Sequence, residues 1–493
     1  MPAQLLSPPP PRTPPASVER FNRALRFQAS NQKPEAAREY LQALELNPGY
    51  VEAAFNLGVL FQEMGQNAEA VGCYRRALQY KPDFAPAWGN LGVALRNTNQ
   101  GEEAVASFQQ ALRLQPGEPG VLNNLGNALL AQQQYAEATA CFRDGLRRAP
   151  ANSGIHLNLG NALRVSGRVG EAVQSLRQAI ELRPDYAEAH WDLAFALLLQ
   201  GDFSQGFQEY EWRWRRPDFP RRSFASPLWL GEDLAGRTLL VHAKQGAGDA
   251  IQFVRFVGDL AERGARVLLE CPPSLAALFE SVSGAHRVIP KGDALPEVDY
   301  HVPLLSLPQR LGITIGTIPA RTPYLRPPVN HCVVLPSPRD RRDVRLKVGL
   351  AWRGNPQHSN DRQRSIPLEL LDPLFSLPGV AFYNLQVASG PQFAGEGTSQ
   401  RSLTPLKGLL HDFADTASVI AQLDLVISAD TSVAHLAGAL GRPAWVLLPF
   451  APDWRWLLER EDTPWYPTLR LFRQSAPGDW SAVIQRVHDA LLA

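Results

Sequence analysis

Neither sign of charge is in excess in this sequence of 493 residues. Lysine and arginine total 49, aspartate and glutamate total 48, and the formal net charge is +1. No basic segment has the density of a surface that binds a polyanion. The balance argues against nucleic acid or an anionic membrane as the main partner. A chain of this length exceeds one hydrophobic core, so we expect two or three domains.

Cysteine is scarce as well, with four residues in the chain. Cys73 and Cys141 lie 68 residues apart, twice a 34-residue spacing that recurs in the sequence. This spacing predicts that both occupy the same small buried position in two repeats. The set does not form the framework of a disulfide-rich secreted protein, and we expect a reducing, cytosolic compartment.

Long hydrophobic runs are also missing. No segment approaches the ~20 apolar residues of a membrane helix. The N-terminal stretch MPAQLLSPPPPRTPPAS (1–17) lacks the charged and apolar regions of a signal peptide and has the composition of a disordered, polyproline-like tail. We therefore expect a soluble, cytoplasmic protein without membrane insertion.

What the sequence does contain is an internal repeat. Prolines recur every 34 residues, at Pro48, Pro82, Pro116, Pro150 and Pro184. An Asn-Leu-Gly triplet starts at residues 56, 90, 124 and 158 and drifts to Asp-Leu-Ala at 192. This pattern resembles the tetratricopeptide repeat, a helix–turn–helix unit whose small residues permit close helix packing and whose proline ends the second helix. The resemblance implies about five units with degenerate ends, and a repeat domain over 18–220.

The recurring asparagines are candidate binding residues. Such arrays bind rather than catalyse, on a concave surface lined by the first helix of each unit. A ladder of amides there suits an extended polypeptide, because each amide offers a donor and an acceptor. The candidate groove residues are Asn56, Asn90, Asn124, Asn127, Asn158 and Asn161. The alternative is that these asparagines only stabilise neighbouring repeats, and the pattern does not choose between the two.

The segment EYEWRWRRPDFPRRSF (209–224) alternates tryptophan with arginine. One interpretation is a surface for nucleic acid. The interpretation that we favour is docking against the next domain, with the arginine stems covering apolar surface.

Beyond residue 236, short apolar runs alternate with helical segments, which predicts parallel, doubly wound sheets. The predicted strands are 238–243, 266–271 and 286–290, then 347–352, 380–386, 423–429 and 444–448. A charged, proline-containing break at 333–347 separates the two series. The fold class is therefore an α-solenoid followed by two Rossmann-like halves, 221–335 and 336–493, with a cleft between them. The last predicted helix, 480–492, covers one half or crosses back to the other.

Ligands of such sheets bind in the loops after the strands. Gly248 and Asp249 follow the first strand, in a loop where glycines let a backbone approach a ligand. Asp249 alone would also serve as a helix cap. Arg353, Asn355 and Arg364 belong to a loop before a helix start, which suits a phosphate, although a solvated basic loop has the same composition.

The third loop is Asp430-Thr431-Ser432, between an apolar strand and a helix. Free N–H groups at that helix start, with two hydroxyls, suit a diphosphate, whereas a simple cap is the alternative. Asp430 would repel a phosphate and fits a backbone amide or a sugar hydroxyl better. His435, one turn into the helix, either donates to an anion or packs in the core.

These motifs together resemble glycosyltransferase family 9, the heptosyltransferase-like group of the GT-B fold. SADTSVAHLAGALGRPAWVLL (428–448) is similar to its Asp-Thr-Gly/Ser-x-x-His-Leu-Ala signature, GAGDAIQF (246–253) to its Gly-Asp loop, and RQRSIP (362–367) to its basic segment before a proline. The likeness covers roughly 237–490. Arrays of tetratricopeptide repeats fused to such a domain occur among bacterial protein glycosyltransferases, including enzymes that resemble flagellin-modifying ones.

The resemblance implies a role for each motif. Asp249 would be the general base for the acceptor hydroxyl, Arg353 or Arg364 would hold the donor phosphates together with the 431–435 turn, and Asp430 would hold the sugar. The full donor-binding set comprises Gly248, Arg353, Asn355, Arg364, Gln386, Asp430, Thr431, Ser432 and His435. No Asp-x-Asp occurs in the chain, so we expect no metal and no cofactor besides the nucleotide-sugar. Ser432, where many members have glycine, and the tryptophan-rich stretch 449–467 depart from the family pattern.

The leading expectation is a cytoplasmic, inverting glycosyltransferase that acts on a protein hydroxyl, with the repeats recruiting a polypeptide such as flagellin. A second has the same enzyme act on a lipid-linked saccharide, although a glycolipid does not need a peptide-binding groove. A third is a repeat scaffold whose transferase half is degenerate and only binds a nucleotide. The sequence names neither the sugar nor the nucleotide.

Overall fold

A computed structural model describes residues 14–244, 246–329, 331–338, 343–358, 360–386 and 402–493. The chain divides into two compact units, Met1–Asp192 and Leu193–Ala493. Most of the predicted tail 1–17 lies outside the described residues. The first helix begins at Pro15, so the boundary predicted at residue 17 falls inside that helix.

The first unit consists of successive helix pairs. Its helices are α1 (Pro15–Ala29), α2 (Lys33–Leu46), α3 (Val51–Glu63), α4 (Asn67–Tyr80), α5 (Ala85–Asn97), α6 (Gly101–Leu114), α7 (Pro119–Ala131), α8 (Tyr135–Arg148), α9 (Ser153–Val165) and α10 (Val169–Leu182), and α11 (Ala187–Leu199) crosses into the second unit. From α3 onward, every second helix starts 34 residues after the previous one, at 51, 85, 119, 153 and 187. The predicted helix–turn–helix repeat is confirmed.

Close packing explains the glycine of each Asn-Leu-Gly triplet. A Cβ atom at Gly58 would lie 2.7 Å from the ring of Tyr74, and one at Gly126 would lie 2.6 Å from the ring of Phe142. Real Cβ atoms do not come so close, so the two helices of a pair can pack this tightly only around glycine. Cys73 and Cys141 take equivalent positions on α4 and α8 as free thiols, but both are half-buried rather than buried as predicted.

The second unit is an α/β structure that contains two parallel sheets. Its helices are α12 (Phe203–Tyr210), α13 (Ala247–Phe253), α14 (Val257–Glu262), α15 (Pro273–Phe279), α16 (Leu307–Arg310), α17 (Asp361–Arg364), α18 (Asp372–Phe375), α19 (Phe413–Ile420), α20 (Ser432–Ala439) and α21 (Trp480–Leu492). The strands of the first sheet are β1 (Thr238–His242), β2 (Arg266–Cys271), β3 (Ala285–Pro290) and β4 (Tyr300–Pro303), in the order β3-β2-β1-β4. Those of the second are β5 (Leu346–Ala351), β6 (Val380–Asn384), β7 (Leu403–Pro405), β8 (Leu425–Ala429), β9 (Ala444–Leu448) and β10 (Leu469–Arg473), in the order β10-β9-β8-β5-β6-β7.

All strand pairs among the described residues are parallel, as the alternating pattern predicts. The seven predicted strands are present, whereas β4, β7 and β10 were not predicted. Each of these three is an edge strand of its sheet. Edge strands are buried on fewer sides, so they do not need the continuous apolar run that marks β1 or β8.

Helix α21 covers the second sheet. Trp480, Val483 and Val487 belong to the same buried cluster as Val348 of β5 and Phe472 of β10. Of the two predicted courses for the last helix, covering one half is therefore the observed one. Among the described residues, no helix has both the length and the apolar character needed to cross a membrane.

The tryptophan–arginine segment packs within the second unit. Arg213 is fully buried and donates through Nη2 to Ser306 Oγ over 2.7 Å. On α12, Phe203 stacks on Trp465 with ring centroids 5.6 Å apart, and Phe207 meets Trp454 edge-on at 5.6 Å. Because α12 packs on these tryptophans, the division between the units falls at residue 192, before the boundary predicted at 220.

Candidate active site

The predicted catalytic and donor-binding residues lie at or just after the carboxyl ends of three strands, except Gln386, which follows β6. The first loop joins β1 to α13, the second joins β5 to α17, and the third joins β8 to α20. Strands β5 and β8 are neighbours, with Ala351 opposite Ser428 at their ends. Their loops therefore emerge side by side, at the edge where parallel sheets bind ligands.

The first and third loops come into contact, although they belong to different sheets. A Cβ atom at Gly248 would lie 3.1 Å from His435 Cδ2, 3.5 Å from Ser432 Cα and 3.7 Å from Ser432 N. Helix α13 thus meets the N-terminus of α20 through a residue without a side chain. The structure brings together two motifs that the sequence separates by more than 180 positions.

Asp249, one residue further on, makes an ion pair with Arg455, between Oδ1 and Nη2. Arg455 also donates to Asp453 Oδ1 over 2.9 Å through Nη1 and to Gln252 Oε1 over 2.5 Å through Nε. The Asp249 side chain keeps 26% of its exposure. Burial raises the pKa of Asp249, and the Arg455 guanidinium opposes this shift. A carboxylate with a raised pKa is better suited to accept a proton.

Arg364 joins the second loop to the third. Its Nη1 donates to the backbone carbonyl of Asp430 over 3.0 Å, and its Nε lies 3.3 Å from Asp361 Oδ1. A Cβ atom at Gly354 would lie 2.5 Å from Arg364 Nη2, so the glycine makes room for the guanidinium. Arg364 is thereby held next to the start of α20, where a cation complements an anionic ligand.

Two other predicted donor-binding residues, Asn355 in the second loop and Gln386 after β6, bond the backbone of the second loop. Gln386 Oε1 accepts from the N–H of Arg353 over 3.0 Å, and Asn355 Oδ1 accepts from the N–H of Gln357 over 3.0 Å. Both amides fix the loop conformation in this structure. Their roles toward a donor, and that of the Arg353 side chain, stay predictions.

Thr431 is the N-cap of α20. Its Oγ1 accepts from the N–H of Val433 over 3.3 Å and lies 3.0 Å from Ser428 Oγ. Within the described residues, neither the N–H nor the hydroxyl of Ser432 has a partner, so one donor of each kind remains for a ligand. Burial, reinforced by Asp453, raises the pKa of the adjacent Asp430 to about 6, against the effects of Trp456, Arg364 and Arg455.

His435 is a packed histidine, one of its two predicted alternatives. Its ring is buried, stacks on Trp456 at 5.3 Å, and bonds Tyr466 Oη through Nδ1 over 3.0 Å. Burial, together with nearby arginines, lowers the pKa of His435 well below its ordinary value. The ring is therefore neutral. Its Nε2 has no hydrogen-bond partner among the described residues and is the ring nitrogen that remains for the nucleotide-sugar.

Three residues of the second half that were not predicted lie at this site: Asp453 and Arg455 act on Asp249, and Trp456 stacks on His435. They follow β9 in the tryptophan-rich stretch 449–467, which departs from the family pattern. A stretch after a parallel strand faces the same edge as the other loops, so its position after 444–448 was the available signal.

The predicted asparagine ladder divides into two groups. Asn56 interacts with the hydroxyl of Tyr40, and Asn90 with that of Tyr74, each on the second helix of the preceding pair. Asn56 is also fully buried. These contacts fit the second of the two interpretations, in which the asparagines stabilise neighbouring repeats.

The later asparagines lack that partner, since Phe108 and Phe142 replace the tyrosines. Asn158 donates to Asn123 Oδ1 over 2.8 Å, between α9 and α7, and Asn161 accepts from Arg164 over 2.7 Å. Asn124 and Asn127 have no hydrogen-bond partner among the described residues and are half-buried. In this group, Asn124 and Asn127 have side chains available to a ligand.

One group of possible metal ligands occurs in the part of the chain that the structure describes. It consists of His331, Asp412 and Asp415, whose ligand atoms lie within 4.8 Å of one another. Asp415 bonds His331 over 3.2 Å, and Asp412 caps α19 by accepting from the N–H of Ala414. The group lies outside the three loops of the candidate active site, and its contacts are those of a helix start.

Family models identify the repeats. Models described as tetratricopeptide repeat match residues 39–72, 60–119 and 99–157, and one described as TPR repeat matches 160–201. These segments of the chain are therefore tetratricopeptide repeats.

A curated protein of Caulobacter vibrioides, Protein FlbA, is 29% identical to the chain over 312 residues. The match covers 58% of this chain and 52% of FlbA, so the chain spans about half the length of that relative.

Several solved structures are similar in part. The match to a crystal structure of MamA covers 35% of this chain and 94% of the MamA chain, with 19% identity and a TM-score of 0.33. YrrB, described as a TPR protein with an unusual peptide-binding site, covers 37% and 94%, with 19% identity and a TM-score of 0.32. PilF of Pseudomonas aeruginosa covers 41% and 91%, with 22% identity and a TM-score of 0.36. At these TM-scores, the likenesses carry no argument about function.

Proposed function

We propose that the chain is an inverting, metal-independent glycosyltransferase of the GT-B fold. It moves a sugar from a nucleotide-sugar donor to a serine or threonine hydroxyl of a polypeptide that the repeats recruit. The observation that carries the proposal is the contact of the Gly248–Asp249 loop with the start of α20. The two motifs that the family resemblance assigns to the acceptor and the donor thus meet in one place.

The donor's phosphates fit the start of α20. The helix dipole favours an anion there, and Ser432 offers an N–H and a hydroxyl. Arg364 adds a guanidinium beside the same turn, fixed by its bond to the Asp430 carbonyl. These groups stabilise the negative charge of the departing nucleotide, which is the role of a metal ion in other transferases.

Asp249 is the proposed general base. The acceptor oxygen attacks the anomeric carbon, its proton passes to the Asp249 carboxylate, and the bond from that carbon to the phosphate oxygen breaks with both electrons on the phosphate. The raised pKa of Asp249 supports this role. Replacement of Asp249 by alanine is expected to abolish transfer.

Tetratricopeptide repeats form extended binding surfaces, which suits a polypeptide acceptor better than a glycolipid. Asn124 and Asn127 offer amides for a peptide backbone. Flagellin is the acceptor that the family resemblance suggests.

The first test is a thermal-shift screen of the full chain with CMP, UDP, GDP, ADP and dTDP. A rise in Tm with one nucleotide is expected, and its loss in Thr431→Ala/Ser432→Ala would identify the donor class. Ser376→Ala, an exposed hydroxyl in the same half, is the control and should keep the full shift.

Further outcomes distinguish the protein glycosyltransferase from the glycolipid enzyme and from the degenerate scaffold. If a nucleotide raises Tm but no donor is hydrolysed or used for transfer, the degenerate scaffold becomes the better explanation, and an unchanged Tm with millimolar concentrations of every nucleotide would contradict both the enzyme and this scaffold. If a nucleotide binds and sugar passes to a lipid-linked saccharide but not to polypeptides, the glycolipid enzyme is favoured.

A further inference from the structure

Arg455 has a hydrogen-bond acceptor for every nitrogen of its guanidinium. Nη2 pairs with Asp249 and Nε with Gln252, both on α13, which belongs to the half with the first sheet. Nη1 pairs with Asp453, on its own loop after β9. One side chain of the second half is therefore anchored on the helix that carries the candidate base.

The guanidinium has little room to move. Arg455 is only 8% exposed, lies over Trp454 at 4.5 Å and is 5.7 Å from the ring of Phe253. Arg473 holds the following loop separately, through bonds to the backbone carbonyls of Leu457 and Arg460 over 3.0 and 2.8 Å. The position of Arg455 is thus set by packing as well as by charge.

Arg455 also differentiates the two oxygens of Asp249. Oδ1 is bound to the guanidinium, while Oδ2 lies on the side of Gly246, at 3.7 Å from where a Cβ of that residue would be, and the backbone N–H of Gly246 also donates to the carboxylate. A carboxylate fixed by one oxygen presents the other in a defined direction. An acceptor hydroxyl needs such a fixed base, because misplacement by about 1 Å costs roughly 100-fold in rate.

We propose that Arg455 is a positioning residue for the candidate base: it holds Asp249 Oδ1 so that Oδ2 faces the acceptor hydroxyl, and it ties α13 to the loop after β9. The role rests on the transferase proposed above. Asp249, Gln252 and Asp453 take up three of the five N–H groups of Arg455, and the positioning role does not require the other two to contact the substrate.

The test compares Arg455→Lys with Arg473→Lys in the full chain. A lysine keeps the charge but cannot make the three-way contact. We expect kcat of Arg455→Lys to fall about 100-fold while the donor KM changes little. The guanidinium of Arg455 lowers the pKa of Asp249, so its removal in Arg455→Met should raise that pKa. The acidic limb of the kcat–pH profile should therefore move to higher pH. Arg473→Lys, which disturbs the same loop without touching Asp249, should cause neither effect.

A double-mutant cycle of Arg455→Met and Asp249→Asn, followed by urea unfolding, measures the coupling energy between Arg455 and Asp249 without an activity assay. We expect non-additive effects on the free energy of unfolding. Additive effects would show that Arg455 does not hold Asp249. Unchanged kcat and pH profile in folded Arg455 variants, or the same losses in Arg473→Lys, would overturn the positioning role. If the wild-type chain turns over no nucleotide-sugar, both the transferase proposal and the positioning role are wrong. Non-additivity in the double-mutant cycle would still show that Arg455 and Asp249 stabilise each other.

Discussion

At the scale of single residues, the candidate active site depends on a missing side chain. Gly248 lies where α13 meets the start of α20, and its hydrogen points at His435 and Ser432. Gly246, two positions earlier, has only Asp249 Oδ2 near its Cβ position, at 3.7 Å. The sequence suggested that these glycines allow close approach of a ligand. The structure adds that one of them allows close approach of the other half.

Replacement of the two glycines by alanine should therefore have different effects. In Gly248→Ala, the new methyl group would lie 3.1 Å from His435 Cδ2, so the buried ring must shift. We expect a loss of about 1–3 kcal/mol in the free energy of unfolding, as for other overpacked sites. Gly246→Ala should stay within about 0.5 kcal/mol of the wild type. Urea unfolding followed by tryptophan fluorescence measures both, and equal losses would contradict the explanation.

At the scale of elements, the repeats use one helix position in two ways. Where the second helix of the preceding pair carries tyrosine, as at Tyr40 and Tyr74, the asparagine interacts with its hydroxyl. Where it carries phenylalanine, as at Phe108, the asparagine has no such partner. The 34-residue period predicted about five helix–turn–helix units because it is a local pattern, but the partner of each asparagine depends on the neighbouring repeat. The sequence alone therefore left the function of the ladder open.

Asn90→Ala and Asn124→Ala separate these two uses. Asn90→Ala removes a contact with Tyr74, and we expect it to lower the free energy of unfolding by about 1 kcal/mol, the usual contribution of a buried hydrogen bond. Asn124→Ala removes no hydrogen bond among the described residues and should change it by less than about 0.5 kcal/mol. Calorimetric unfolding of the two variants is the measurement. A similar loss in both would show that Asn124 also stabilises the array.

At the scale of the whole molecule, long-range contacts were the part beyond the reach of sequence reasoning. The strands β1, β8 and β9 were predicted because buried parallel strands are continuous apolar runs. The pairing of Asp249 with Arg455 joins residues 206 positions apart, and no local pattern encodes it. The division of the compact units at residue 192, rather than at the predicted 220, has the same cause. Helix α12 continues the 34-residue period, yet Phe203 and Phe207 pack on Trp454 and Trp465.

Two fragments test this division. The fragment 187–493 retains α12, and 221–493 starts at the boundary predicted from the sequence. The shorter one loses Phe203 and Phe207, which are 1% and 3% exposed, and the bond from Arg213 to Ser306. At about 1.5–3 kcal/mol for each buried phenylalanine, the loss is comparable to the whole stability of a marginal domain.

We therefore expect 187–493 to unfold cooperatively and to keep any nucleotide-dependent rise in Tm. The fragment 221–493 should have a much lower Tm and no such rise, because Trp454 lies in the same turn as Trp456, which stacks on His435 of α20. Thermal melts of both fragments, with and without the nucleotide found for the full chain, are the measurement. Equal stability would mean that α12 belongs to the repeats alone. A stable 221–493 fragment that no longer binds nucleotide would instead indicate that α12 orders the loop after β9 without being needed for folding.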